Sequence, residues 1–157
     1  MSDQVTVRLL GPGDGPILDL LARDDAAFDV DGRGVAREAL GPAAAEEYLA
    51  DPTVLHWIAE GGARLVGTLI CDVLRQDSGA HFEVLLYDIG VRTTHRRRGI
   101  GRLLVAAMDA WMEEHGVVTV WVLADNPAAE RFYAACGFER DEPQPVSMSR
   151  TRGRAAT

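Results

Sequence analysis

The segment from Phe82 to Trp111 restricts the fold more than any other. An apolar run ending at Val91 is followed closely by Arg96-Arg97-Arg98-Gly99-Ile100-Gly101. After that, Ile100, Leu103, Leu104, Ala107, Met108 and Trp111 recur at helical spacing. That order predicts a strand, a short loop, a glycine-rich turn and an amphipathic helix that must lie against a sheet. A turn of this kind leaves the first N–H groups of the helix without intrahelical partners, and the helix dipole adds partial positive charge at the same place. The two glycines let an anion approach the backbone closely, so the turn is a candidate phosphate site.

Two familiar phosphate motifs do not fit. A P-loop ends in Gly-Lys-Ser/Thr, and this chain has no lysine. A dinucleotide fingerprint needs a third glycine where Leu103 and Leu104 stand. Charge is uneven along the chain. Residues 1–91 carry 16 Asp/Glu and 6 Arg, a net of −10, whereas residues 92–157 carry 8 and 10, a net of +2, which together give the chain's −8. The basic residues Arg92, His95, Arg96, Arg97, Arg98 and Arg102 therefore form a local cluster in an acidic protein. That balance disfavours nucleic acid, which needs a broad basic face. It suits a locally held anionic cofactor and a cationic substrate drawn to the acidic remainder.

A chain of 157 residues reads as one domain, here over 1–150, with a frayed tail at 151–157. No apolar stretch approaches the roughly 20 residues that span a bilayer, and Met1-Ser2-Asp3-Gln4 lacks the features of a signal peptide. Cys71 and Cys136 show no metal-binding spacing. A cytoplasmic protein with no metal and no membrane contact is expected. The predicted elements are an edge strand Val5–Leu10, a helix from Ile17 to about Ala27, a helix Pro42–Ala50, and strands Thr53–Glu60 and Arg64–Leu74 joined at Gly61-Gly62-Ala63. They continue with the central strand Phe82–Val91, the helix from Ile100 to near Gly116, a strand Val117–Leu123, a helix Asn126–Cys136, and a last strand around Val146–Ser149.

A second block, Asn126-Pro127-Ala128-Ala129-Glu130-Arg131-Phe132-Tyr133 through Gly137-Phe138, puts a good N-cap and a tyrosine seven residues apart on one helix face. Taken together, Val91-x4-Arg96-x2-Gly99-x-Gly101 and Asn126-x2-Ala129-x3-Tyr133-x3-Gly137-Phe138 resemble the GNAT superfamily of acyl-CoA-dependent N-acyltransferases over about residues 53–140. Thr93 stands where many members carry proline. The resemblance implies an α+β fold, a twisted, mixed, mostly antiparallel sheet with helices on both faces. It implies acetyl-CoA as cofactor, its pyrophosphate held by backbone amides across Arg97, Arg98, Gly99, Ile100, Gly101 and Arg102, after Arg96. Backbone groups of Ile89, Gly90 and Val91 would pair with the pantetheine arm as an added strand. Asn126 would touch that arm, and Tyr133 would protonate the departing thiolate. Dimers are common among proteins of this resemblance.

The implied chemistry requires a base, because an amine is protonated at neutral pH and must lose a proton before attack. Glu83 and Asp88 both lie in the central strand, five positions apart, and a regular strand would set them on opposite faces unless a bulge intervenes. Asp88, surrounded by apolar residues, is the first choice and Glu83 the second. The stretch Glu83 to Val91 running into His95-Arg96-Arg97, with its Tyr87-Asp88 pair, is similar to GNAT-type aminoglycoside 3-N-acetyltransferases. The acidic segment Phe28-Asp29-Val30-Asp31 falls where those enzymes have an acidic, Phe-containing segment. On that resemblance Phe28, Asp29, Asp31, Glu83, Tyr87 and Asp88 would hold an aminoglycoside, a polycation, and one amine would be acetylated. Polyamines, other small amines, peptide α-amines and a non-catalytic acetyl-CoA sensor remain as alternatives.

Overall fold

The structure, a computed structural model, describes residues 4–28, 37–79 and 81–153. The Asp29 and Asp31 expectations lie outside the described residues. Two compact units are present, one ending at Leu123 and the other starting at Ala124.

The first unit contains strand β1 (Val5–Leu9), helix α1 (Gly15–Arg23), a 3-10 turn Asp25–Ala27, helix α2 (Pro42–Ala50) and strands β2 (Val54–Gly61), β3 (Arg64–Arg75) and β4 (Phe82–Val91). A 3-10 turn at Thr93–His95, helix α3 (Ile100–His115) and strand β5 (Val120–Val122) complete it. The five strands form one sheet in sequence order, antiparallel up to β4 and parallel between β4 and β5. This is the mixed, mostly antiparallel sheet that the family resemblance implies.

Strand register separates the two faces. On one face Leu69, Cys71 and Leu86 meet α3; the Cys71 and Met108 sulfurs lie 3.6 Å apart. On the other, Ile58 packs with Leu10, Leu21 and Leu49 beneath α1 and α2. Helices thus cover both faces. The buried stripe of α3 is Ile100, Leu104, Met108 and Met112 with Gly101 and Val105 beside it, so the predicted stripe is off by part of a turn. Leu103 is exposed, and Trp111 stacks on His115 at 4.1 Å. The i, i+4 ridge sits on the sheet because Gly67 lets the helix approach. A Cβ there would lie 2.9 Å from Ile100 Cγ2 and 3.0 Å from Leu104 Cδ1. Gly67→Ala is therefore expected to cost about 1–3 kcal/mol through overpacking, read as a lower Tm in a thermal melt.

The second unit contains helix α4 (Pro127–Ala135). The Asn126 side chain caps it by accepting from the Ala129 N–H at 2.8 Å, with Pro127 at its start. The strand expected at Val146–Ser149 does not form, and Val146 and Met148 are exposed. Alternation of apolar and polar residues suffices for a strand only where a ladder partner exists. Pro143 and Pro145 just upstream lack the N–H donors to start one.

Candidate active site

The register of β3 against β4 decides how the carboxylates of the central strand are arranged. Cys71 pairs with Leu86, but the next residue back, Ile70, pairs with Asp88, so Tyr87 is an extra residue in a bulge. The bulge resets the alternation. Glu83 opposite Leu74 and Asp88 opposite Ile70 consequently share a face, which a regular strand would forbid. Asp72, opposite Leu85, joins them. Tyr87 itself is exposed on the bulge.

Asp88 is half-buried, and desolvation raises its carboxyl above the ordinary aspartate value. Asp25 pushes the same way, whereas Arg37 and the Ile89 N–H, which donates to the Asp88 carboxylate, push it down. Ile89, whose backbone is expected to pair with the pantetheine arm, thus also presents its amide to Asp88. The Arg37 guanidinium lies 3.7 Å from Asp88 and 3.6 Å from Asp25. A polar chain runs behind this cluster. Tyr48 OH is 3.1 Å from His56 Nδ1, and His56 Nε2 is 2.7 Å from Thr68 Oγ1.

Burial, with Arg37 adding to it, lowers His56 to about 4 from its ordinary 6.5, and desolvation first, then Asp72, raises Tyr48 to about 12. Below pH 6.5 the unfolded chain takes up a proton at His56 that the folded chain refuses until about pH 4. Stability is thus expected to fall as pH drops through that window, by about 3 kcal/mol in all. His56→Gln should flatten this part of a Tm-against-pH curve, provided that the variant keeps its fold at pH 7.5.

Phe28 is brought to the same face. Its ring approaches the Cα side of Gly90, and the Arg92 guanidinium lies 5.1 Å from its centroid. Arg92 leaves the basic cluster expected from the sequence. It is buried, its Nε donating to Leu65 O at 2.8 Å and its Nη2 pairing with Asp24 at 2.6 Å. Arg96 ties the end of β4 to Phe28, donating to the Val91 and Phe28 carbonyls at 3.3 and 3.4 Å.

The glycine-rich turn fits a pyrophosphate. Arg97 and Gly99 take left-handed conformations, with φ of 60° and 78°. The N-cap of α3 receives no side-chain hydrogen bond, and among the described residues nothing would meet a Cβ at Gly99 within 4 Å. Arg98 and Arg102 flank this open helix end on the surface, while Ile100 and Gly101 are buried beneath it. The donors expected of a phosphate cradle are therefore present and uncapped. The β4 edge beside it lacks a strand partner within the first unit. Pairing with β5 stops at Leu86–Val122, and among the described residues no strand continues along Tyr87, Asp88, Ile89, Gly90 and Val91. Within the first unit those backbone groups have no strand partner on that side, as an added extended chain would require.

In the second unit, the Asn126 side chain is committed to its cap and to Asp125, with Nδ2 donating at 2.8 Å. Tyr133 is buried, with Phe132 and Phe138 ring centroids at 5.4 and 5.5 Å. Among the described residues no group of His, Cys, Asp and Glu could hold a metal, and no helix is long and apolar enough to cross a membrane.

Sequence reasoning missed Arg37, Asp25, Asp72, His56, Tyr48 and Thr68 as parts of this site. His56 within the apolar run Val54–Ala59 was the one available signal, since a histidine in a buried strand needs partners.

Comparison with known proteins agrees with this geometry. The model of the acetyltransferase (GNAT) family matches residues 22–138. The ribosomal protein bS18-alanine N-acetyltransferase of Salmonella typhimurium is 41% identical over 58 residues, 36% of this chain and 39% of that one. N-alpha-acetyltransferase RimI of Mycobacterium tuberculosis is 37% identical over 101 residues, 63% of this chain and 61% of that one. The chain thus spans about two fifths to three fifths of the length of these curated relatives. A crystal structure of the aminoglycoside acetyltransferase meta-AAC0020, from an uncultured soil metagenomic sample, superposes with a TM-score of 0.81 at 25% identity, covering 95% of this chain and 97% of that one. With a family match over most of its length, the mixed sheet and glycine-rich turn that the resemblance implies, and a bulge in β4, the chain belongs to the GNAT acetyltransferase family.

Proposed function

We propose that the protein is an acetyl-CoA-dependent N-acetyltransferase whose acceptor is an amine of an aminoglycoside, with the 3-amino group as the position the sequence resemblance implies. The observation that carries this reading is the Tyr87 bulge, which gathers Glu83, Asp72 and Asp88 on one face of β4 and β3, beside the β4 edge that lacks a strand partner within the first unit. Such a wall attracts a polycation and orients one of its ammonium groups at Asp88. When bound, acetyl-CoA supplies an acetyl group activated as a thioester. Asp88 takes the proton from the ammonium, and Glu83 on the same face holds a further positive group. Phe28 and Tyr87 offer apolar surface to the sugar rings. The backbone around Arg97 to Arg102 holds the pyrophosphate. Tyr133 returns a proton to the leaving sulfur, a role that rests on the resemblance of its motif.

The near full-length match to meta-AAC0020 supports an aminoglycoside acceptor. A peptide α-amine is the second reading, favoured by the two curated relatives. A single competition separates them. The protein is given acetyl-CoA with equal amounts of a neomycin-type aminoglycoside, spermidine and an alanine-terminated peptide, and the products are weighed by mass spectrometry. The expected result is acetyl label on the aminoglycoside ahead of the others. Label on the peptide alone would move the substrate to the second reading.

The phosphate cradle has its own test. Gly99→Val forces a branched side chain onto φ 78° at the anion face. CoA affinity measured by calorimetry is expected to fall about tenfold or more. Unchanged affinity would place the pyrophosphate elsewhere.

A further inference from the structure

Arg37, just ahead of α2, stands where the proposed substrate's ammonium group would have to be. Its guanidinium is 3.7 Å from Asp88 and 3.6 Å from Asp25. The Arg37 and Asp88 side chains are 51% and 44% exposed, so both are within reach of a solute. We propose that Arg37 is a specificity-determining residue, a resident counter-ion that the substrate displaces from Asp88, so that amines carrying several positive charges are selected over those carrying one. The inference rests on the reading of Asp88 as the group that receives the substrate amine.

Two cations that approach the same carboxylate oxygen stand about 4 Å from each other, and at that separation they repel about as strongly as either is attracted to it. An entering ammonium must therefore move Arg37 off Asp88. Asp25 already faces Arg37 Nε while Asp88 faces Nη2, so Arg37 keeps a partner after the exchange. A monoamine gains Asp88 and must bear the repulsion of the nearby guanidinium alone. A polyamine brings further ammonium groups that meet Asp72 and Glu83 on the same face, which offsets that repulsion.

Among the described residues, the charged and titratable groups on this side of the sheet are Asp24, Asp25, Arg37, Tyr48 of α2, His56 of β2, Asp72 of β3, Glu83 of β4, Arg92 and Arg96. Arg92 is buried and paired with Asp24, and Arg96 donates to backbone carbonyls, whereas Arg37 is the cation that acts on Asp88, Tyr48 and His56. Removing its charge leaves a wall that any amine can approach.

The test measures binding, so it does not depend on turnover. Butylamine and a neomycin-type aminoglycoside are titrated by calorimetry into the CoA-bound protein, for the wild type, Arg37→Gln and Arg37→Lys. Arg37→Gln is expected to tighten butylamine binding about tenfold and the aminoglycoside's much less, which collapses the ratio of the two affinities. Arg37→Lys, which keeps the charge, is expected to hold the wild-type ratio. A purely structural Arg37 would weaken both ligands in both variants. Where turnover is measurable, the acidic limb of kcat/KM should also move upward in Arg37→Gln, because Asp88 loses the neighbour that lowers it. A collapsed ratio in a protein that acetylates no amine would uphold the counter-ion and defeat the catalytic reading. An unchanged ratio in Arg37→Gln would overturn the proposal whatever the turnover.

Discussion

Asp88→Asn is expected to lower kcat about 10²- to 10⁴-fold while leaving CoA affinity within about threefold, as removal of a positioned base should. Asparagine keeps the size of the side chain and an oxygen to accept the Ile89 N–H, but it cannot take a proton. The wild-type acidic limb is expected above the ordinary aspartate range, because desolvation raises Asp88. Activity is lost as pH falls through that limb, since the protonated carboxyl accepts nothing from the substrate. In Asp88→Asn the limb should vanish together with most of the rate. Glu83→Gln is the comparison. It sits on the same face, and an effect confined to KM would mark it as a substrate contact. If the rate instead collapsed in Glu83→Gln and survived in Asp88→Asn, Glu83 would be the base.

Tyr133→Phe is expected to cost about 100-fold or more in kcat with CoA affinity nearly intact. The ring is buried against Phe132 and Phe138, packing that phenylalanine keeps, so the fold should tolerate the change. What disappears is the hydroxyl proton proposed for the leaving sulfur. Thiol release in single-turnover mode isolates this step from product dissociation. An unchanged rate would remove Tyr133 from the chemistry and make it a packing residue of α4.

Much of the fold is legible in the chain because its elements carry local signals. Pro42 opens α2 and Ala50 closes it where the spacing predicts, and β4 matches its apolar run from Phe82 to Val91. Asn126 with Pro127 marks the start of α4 without ambiguity. The turn from Arg96 to Gly101 is legible for the same reason, since glycines at positive φ announce themselves. What the chain hides is register. The Tyr87 bulge depends on how β3 slides against β4, a long-range property with no residue of its own, and it alone decides that Glu83 and Asp88 share a face. Arg37 is hidden for a related reason, since its partners Asp25 and Asp88 stand 12 and 51 residues away. The tail misled in the opposite sense. Val146 and Met148 alternate like a strand, but alternation carries no information about whether a partner edge is there.

The most direct measurement is the thiol released from acetyl-CoA with and without a neomycin-type aminoglycoside, matched to the mass of the product. Thiol and singly acetylated aminoglycoside are expected in equal amounts, dependent on both substrates and lost in Asp88→Asn. Tight CoA binding with no thiol release on any aminoglycoside, polyamine or peptide would contradict it and leave an acetyl-CoA sensor in place of an enzyme.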